Sequence, residues 1–228
     1  MAMELREKKE GLVRHICAVG RQLAQAGYVA ANDGNISVRC PDGHILITPT
    51  GVYKGELTPE LLLELTAEGE VVERGNLGPS SETPMHLALY AACPEVGAVV
   101  HTHSPYALCM ASRGVALTAP ITADMVLLLG EIPCLPYLTL GSEKLAAEVT
   151  QAAEDANGVL IAHHGAVTWG RDLNEAWYRT QALEQYCRQL YLQLQMGGPL
   201  PVIPEDEVQK LIARRSAGGT LRGGGNRK

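Results

Sequence analysis

Phenylalanine is absent from this sequence, and two tryptophans and eight tyrosines are its whole aromatic complement. Aliphatic side chains must therefore fill the interior, and a 46% hydrophobic content is enough for a sizeable core. No apolar run approaches the ~18 residues that a membrane span needs, so no spanning helix is expected. Nor is there a basic stripe: the formal net charge of −6 gives no support to nucleic-acid binding. Arg214, Arg215, Arg222, Arg227 and Lys228 sit among glycines and read as part of a loose tail. The cysteines at 17, 40, 93, 109, 134 and 187 form no CxxC pair. That scatter excludes a disulfide framework and points to reduced thiols in a cytoplasm. Glu4, Arg6, Lys8, Lys9 and Glu10 leave no room for an apolar signal core at the N-terminus. There is no Walker loop, no GxGxxG after a strand, and no repeat of about 20–50 residues.

What is present alternates between short β signals and helical ones. Leu12, Ile16, Val19, Leu23 and Ala26 are spaced by three and four, which predicts an amphipathic helix over 4–26, ended by Gly27. Ile36–Arg39 and Ile45–Thr48 flank Pro41-Asp42-Gly43 as a β-hairpin, and Leu63–Thr66 with Val71–Glu73 form a second. Thr83 as N-cap and Pro84 open a helix to about Cys93, and Pro105 opens another to about Ser112. Further helices are expected from Ser142-Glu143 to about Ala156, from about Leu173 to Gln195 with Asp172 as cap, and after Pro204, with a strand at Val159–Ala162. Hairpins first, then interleaved strands and helices, imply a single three-layer α/β/α domain with a mixed, largely antiparallel sheet. Its expected span is 1–215, with 216–228 as a flexible Gly/Arg-rich tail.

The chemistry gathers at Ala98-Val99-Val100-His101-Thr102-His103. In a strand, alternate side chains share a face, so His101 and His103 point the same way with Cβ atoms roughly 7 Å apart. His163-His164-Gly165 ends a second apolar run. Adjacent strand residues face opposite ways, so only one of that pair is expected to ligate. With Glu82, these residues read as a catalytic metal centre. Three histidines and a carboxylate suit Zn²⁺, and the same ligand types serve Mn²⁺ or Co²⁺. His15, His44 and His86 read as structural, although His86 lies one turn after Glu82. Gly34-Asn35, Thr50-Gly51 and Ser80-Ser81 are small polar turns, each ordinary alone. Together their hydroxyls and glycine N–H groups can cradle an anion, and Ser80-Ser81 precede a helix N-terminus.

Six stretches, in order, resemble the class II metal-dependent aldolase family: Gly34–Arg39, Ile47–Gly51, Pro79–Glu82, Val99–His103, Ile132–Cys134 with Pro136-Tyr137, and His164-Gly165. That family includes L-fuculose-1-phosphate aldolase, L-ribulose-5-phosphate 4-epimerase and the non-catalytic adducin heads. The resemblance implies metal ligation by His101, His103 and His164, the last chosen because the family's ligand directly precedes the glycine. It implies phosphate binding by Asn35, Thr50, Gly51, Ser80 and Ser81. Glu82 matches the acid/base residue, which also ligates the metal when substrate is absent. The implied reaction is cleavage of a ketose or deoxyketose 1-phosphate to dihydroxyacetone phosphate and a short aldehyde, in a homotetramer with active sites near subunit interfaces. A bound divalent ion would stabilise the enediolate of that cleavage as a Lewis acid.

Two departures bear on specificity. The tyrosine expected after the metal strand is missing from Ile121–Met125, which offers Asp124 in an Ala-Asp context like that of the epimerase. No tyrosine follows Tyr191, so the second proton donor is unassigned, with Asp124 the candidate. Epimerisation or decarboxylation of a phosphorylated sugar acid is the alternative chemistry, and an adducin-like module without catalysis is the non-enzymatic one.

Overall fold

Helical spacing of apolar residues makes the first element α1 (Ala2–Gln25), which buries Ile16, Val19 and Leu23. The computed structural model describes residues 2–73 and 77–217. After α1 come β1 (Asn35–Arg39), β2 (Ile45–Ile47), β3 (Leu63–Leu65), β4 (Val71–Glu73), α2 (Thr83–Ala92), β5 (Ala98–Thr102), α3 (Pro105–Ser112) and α4 (Ala123–Leu128). The chain continues through β6 (Cys134–Leu135), α5 (Glu143–Ala152), β7 (Gly158–Ile161), β8 (Gly165–Gly170), α6 (Leu173–Met196) and α7 (Glu205–Ala217).

One eight-stranded sheet runs in the order β4-β3-β2-β1-β5-β8-β7-β6. Every pairing is antiparallel except β6 with β7. Alternation along the strands sends side chains to two helical layers. Val99, Val167 and Trp169 pack with Met85 and Leu89 of α2 and Leu145 and Val149 of α5. Ile36, Val38, Ala98 and Val100 pack on the other face against Ile16 and Leu23 of α1 and Trp177 of α6. Ala107, Met110, Met125 and Leu183 close the second layer over Leu160 and Ala166. This is the expected α/β/α arrangement with a mixed, largely antiparallel sheet. Because β5 lies between β1 and β8, whatever its end carries is flanked by two strands.

Several boundaries differ from expectation. Glu82, not Thr83, is the N-cap of α2, and its side chain makes no capping bond because it turns toward the histidines. The strand β5 stops at Thr102, so His103 lies just beyond it, its N–H donating to the Tyr28 carbonyl. The helix α5 ends at Ala152, although the Ala156 N–H still reaches the Ala152 carbonyl. The strand β8 was not expected. It is buried throughout, so no polar alternation marks it, and glycines bound it. Neither α4 nor β6 was anticipated, both being too short to show a period. Of the residues expected to form the tail, Ser216 and Ala217 are the last two of α7, and 218–228 lie outside the described residues.

Candidate metal centre

The register of the sheet assembles the site. Asn35 on β1 pairs with His101 on β5, and His101 in turn pairs with Val167 on β8. The β7–β8 connection is a tight turn in which His163 takes φ +57 and is exposed. His164 is thereby folded back and buried against the end of β5. A turn, rather than strand alternation, separates the two histidines. Gly165 is required here: a Cβ would lie 2.4 Å from the Thr102 carbonyl oxygen and 2.8 Å from Cδ2 of His103.

The three rings form a triangle, with centroids 4.9 Å (His101–His103), 4.6 Å (His101–His164) and 5.2 Å (His103–His164) apart. One nitrogen from each lies within 4.8 Å of the others. Glu82 faces them from the start of α2, Oε2 lying 3.2 Å from His101 Nε2 and Oε1 3.0 Å from His164 Nε2. The outer nitrogens bear on whether an ion fits. His101 Nδ1 lies 2.9 Å from the Ala166 carbonyl oxygen, and so donates to it and leaves Nε2 as an inward lone pair. His103 Nδ1 lies 3.2 Å from Asp33 Oδ2, which sets its Nε2 inward in the same way. The two Nε2 atoms then face each other at 3.1 Å. Two lone pairs at that distance need a cation or a proton between them. The donor set, three imidazoles and a carboxylate, fits a Zn²⁺-type ion.

Charge reinforces the arrangement. Where a proton rather than an ion fills the gap between the two Nε2 atoms, burial raises the Glu82 carboxyl, but the charge of the then doubly protonated His101 and hydrogen bonds from His101 and His164 outweigh it and hold the group well below the carboxylate range. Burial lowers His103 to about 3, aided by the charges of His101 and His164. Burial also pushes Lys54 down to about 8, against the pull of Asp33 and Glu82. Its ammonium donates to the Val52 and Asn32 carbonyls, tying the Asp33 turn to the segment after Gly51.

The polar turns converge beside Glu82. Asn35 Nδ2 donates to Glu82 Oε2 (2.8 Å) and approaches Ser80 Oγ (3.4 Å), which itself accepts from the Glu82 N–H. Thr50 and Gly51 are exposed on the adjoining turn, which a Thr50 N–H to Gly78 carbonyl bond and a Pro49–Pro79 bridge hold against the Ser80-Ser81 segment. Asp124 is different. It is exposed in the first turn of α4, and among the described residues no hydrogen bond or ion pair joins it to the histidines or Glu82.

Asp33 and Lys54 were not anticipated at the site. Asn32-Asp33-Gly34-Asn35 reads as an ordinary turn, and nothing in the sequence marks Lys54 as buried. A second grouping, Asp42, His44 and Glu64, also has metal-ligand geometry. There the Lys9 ammonium already lies 2.6 Å from both Asp42 Oδ2 and Glu64 Oε1. A cavity of about 680 Å³ between α1 and β2–β3 shares no residue with the histidine cluster.

A three-histidine and carboxylate cluster at the end of a central antiparallel strand, flanked by polar turns, defines an α/β protein built around a candidate metal centre. Residues 14–191 match the family described as Class II Aldolase and Adducin N-terminal domain, and the chain belongs to it. It is 34% identical over 214 residues to a 5-deoxy-D-ribulose 1-phosphate aldolase of Bacillus thuringiensis serovar kurstaki, covering 93% of this chain and 97% of the relative. It is 35% identical to a 3-oxo-tetronate 4-phosphate decarboxylase of Haemophilus influenzae, covering 86% of this chain and 93% of that one. Among solved structures, YgbL of Escherichia coli, described as a putative aldolase/epimerase/decarboxylase, superposes with TM-score 0.82 at 30% identity, over 89% and 98% of the two chains. The enzymes named among its relatives are aldolases and decarboxylases of phosphorylated sugars and sugar acids.

Proposed function

We propose that this chain is a metal-dependent aldolase that cleaves a ketose or deoxyketose 1-phosphate, reversibly, to dihydroxyacetone phosphate and a short aldehyde. The observation that carries this reading is the position of Glu82. One ionised carboxylate faces two of the three convergent histidines and also accepts from Asn35, at the edge of the polar turns. His101, His103 and His164 would hold the ion, Zn²⁺ or else Mn²⁺ or Co²⁺, with Glu82 as fourth ligand while substrate is absent. When bound, that ion supplies Lewis acidity to the oxygens on which negative charge develops.

In cleavage the hydroxyl that becomes the aldehyde gives up its proton to the second group, for which Asp124 is the candidate, and Glu82 protonates the carbon left by the broken C–C bond. In condensation Glu82 removes that proton, a role typically worth about 10²–10⁴-fold. Asn35, Thr50, Gly51, Ser80 and Ser81 bind the phosphate with N–H and hydroxyl donors rather than with charge. The relative that acts on 5-deoxy-D-ribulose 1-phosphate supports the substrate class. Exposed Asp124 suits a donor that serves a neighbouring subunit's site in a homotetramer. Tyr191, Leu192, Leu194 and Met196, exposed along the end of α6, support such association. The cytoplasm suits the free thiols at all six cysteines. No helix among the described residues is long and apolar enough to cross a membrane. One domain over 1–215 with a short tail completes the reading.

A second reading, decarboxylation of a phosphorylated sugar acid, is favoured by the 35% identity to the Haemophilus influenzae decarboxylase. Epimerisation of a sugar phosphate is a third, and the full set of candidate ligands speaks against an adducin-like module without catalysis. The test is a coupled triose-phosphate assay across ketose 1-phosphates, with and without chelator, beside CO₂ release from phosphorylated 3-oxo acids. Chelator-sensitive release of dihydroxyacetone phosphate is the expected result. Loss of CO₂ from a four-carbon 3-oxo acid phosphate also leaves dihydroxyacetone phosphate, so CO₂ release from the acids, with no triose phosphate from any ketose 1-phosphate, would replace cleavage by decarboxylation.

A further inference from the structure

A buried line of hydrogen bonds leads back from Asn35 and Glu82 to three side chains, His86, Ser37 and Tyr90, with no role in the chemistry described so far. Tyr90 Oη lies 2.8 Å from Ser37 Oγ, which lies 2.7 Å from His86 Nδ1. His86 Nε2 meets Asn35 Oδ1, and Asn35 Nδ2 donates to Glu82 Oε2. Local structure explains the alignment: Asn35 and Ser37 share one face of β1, and His86 and Tyr90 are one turn apart on α2. All five side chains are buried, from Ser37 and His86 at 0% exposed to Glu82 at 7%.

Chemistry permits only one direction along this line. Ionised Glu82 only accepts, so Asn35 must offer its NH₂ there and turn its oxygen to His86. That oxygen needs a donor, which must be the Nε2–H of His86. His86 is fully enclosed, and its ring nitrogens meet Ser37 and Asn35 rather than a carboxylate, so its imidazole is neutral and carries that single proton. Nδ1 therefore accepts from the Ser37 hydroxyl, whose oxygen accepts from Tyr90. Every donor points toward Glu82. We propose that His86 is a positioning residue whose Nε2–H fixes the Asn35 carboxamide with its NH₂ toward the active site. Without it, the amide could rotate and set its oxygen against the Glu82 carboxylate. The consequence for phosphate binding rests on the proposed role of Asn35; the orientation itself does not.

Side-chain NMR of full-length protein labelled with ¹⁵N at histidine and asparagine tests the claim. In the unsubstituted protein His86 is expected neutral at pH 7 with its proton on Nε2, and the Asn35 amide protons are expected to exchange slowly. In His86→Leu that exchange should quicken by about tenfold or more, the loss of roughly one good hydrogen bond. His86→Gln, whose amide N–H can reach the same oxygen, should restore most of the protection. Orthophosphate affinity should fall in parallel, about tenfold in the leucine variant and little in the glutamine one. A proton on Nδ1, or Asn35 exchange equal in wild type and His86→Leu, would overturn the assignment. Equal loss in the leucine and glutamine variants would reduce His86 to a packing residue. The proton position is read without any substitution, so a leucine variant that fails to fold does not shield the claim. Wild-type protein that binds no phosphate would count against the phosphate reading, while the NMR result still decides the orientation.

Discussion

Replacing Gly165 by alanine should damage the metal centre through a single methyl group. A Cβ at this position lies 2.4 Å from the Thr102 carbonyl oxygen, about 1 Å inside ordinary contact, and 2.8 Å from His103 Cδ2 and 3.3 Å from His101 Cε1. Thr102 cannot yield freely, because it is the last residue of β5 and pairs with Ala166 on β8. The strain must then spread into the two histidine rings or the β5–β8 register. Overpacking of this kind costs about 1–3 kcal/mol. For a chain of this length that lowers Tm by roughly 2–4 °C per kcal/mol. A displacement near 1 Å at a catalytic constellation costs about 10²-fold in rate. Calorimetry, metal content per subunit and the triose-phosphate assay should therefore all register the change. Gly11→Ala is the control: it lies within α1 with nothing within 4 Å of the added methyl. Relief of backbone entropy in that helix should stabilise by about 0.5–1 kcal/mol. Wild-type metal content and turnover in the Gly165 variant would show that the close approach has no bearing on the site.

Three other perturbations address the remaining parts. Glu82→Gln should keep the fold and lower turnover by about 10²–10⁴-fold, as expected for loss of a general acid/base; unchanged steady-state rates would remove Glu82 from that role. His103→Ala should lose bound metal and activity together, while the metal-free proteins should differ little in Tm, since the ring is only partly buried. Full metal occupancy by plasma mass spectrometry would refute its place among the ligands. Burial holds His86 near 3, against about 6.5 when free, so between these values the unfolded chain binds a proton that the native state does not. Its contribution therefore lowers stability as pH falls through that window, by up to about 1.4 kcal/mol per pH unit. Urea midpoints between pH 4 and 7 should fall more shallowly for His86→Gln; parallel curves would contradict the buried neutral ring.

Sequence spacing brought out most of the histidine cluster, because a strand ending in His-Thr-His and a turn of His-His-Gly are local signatures. His164 could be chosen over His163 only through resemblance to a family. Strand alternation narrows the pair to one, whereas in the fold a left-handed turn at His163 is what buries its neighbour. Hairpins were legible from turn residues, and α6 from Asp172, whose side chain accepts from the Glu175 N–H. The strand β8 was not, since burial on both faces erases the alternation that marks a half-exposed strand. Asp33, Lys54 and the His86 line were invisible for a different reason. Each is defined by a partner far away in the chain, and no local period records such a pairing. Asp124 was singled out by the likeness of its Ala-Asp context to that of the epimerase, and its exposed place on α4 joins it, among the described residues, to none of the cluster's side chains.

The placement of the histidines on β5 and beside β8 carries a consequence for folding. Asn35, Glu82, His101 and His164 come from distant parts of the chain and meet only when β1, β5 and β8 are in register. Contacts of such long sequence separation form late, because loop closure must precede them. The unfolded chain has no preformed socket, so an ion binding the native state should act mainly by slowing escape from it rather than by hastening arrival. On the proposed reading, a bound ion would be a latch on a finished structure and not a nucleus around which the structure grows.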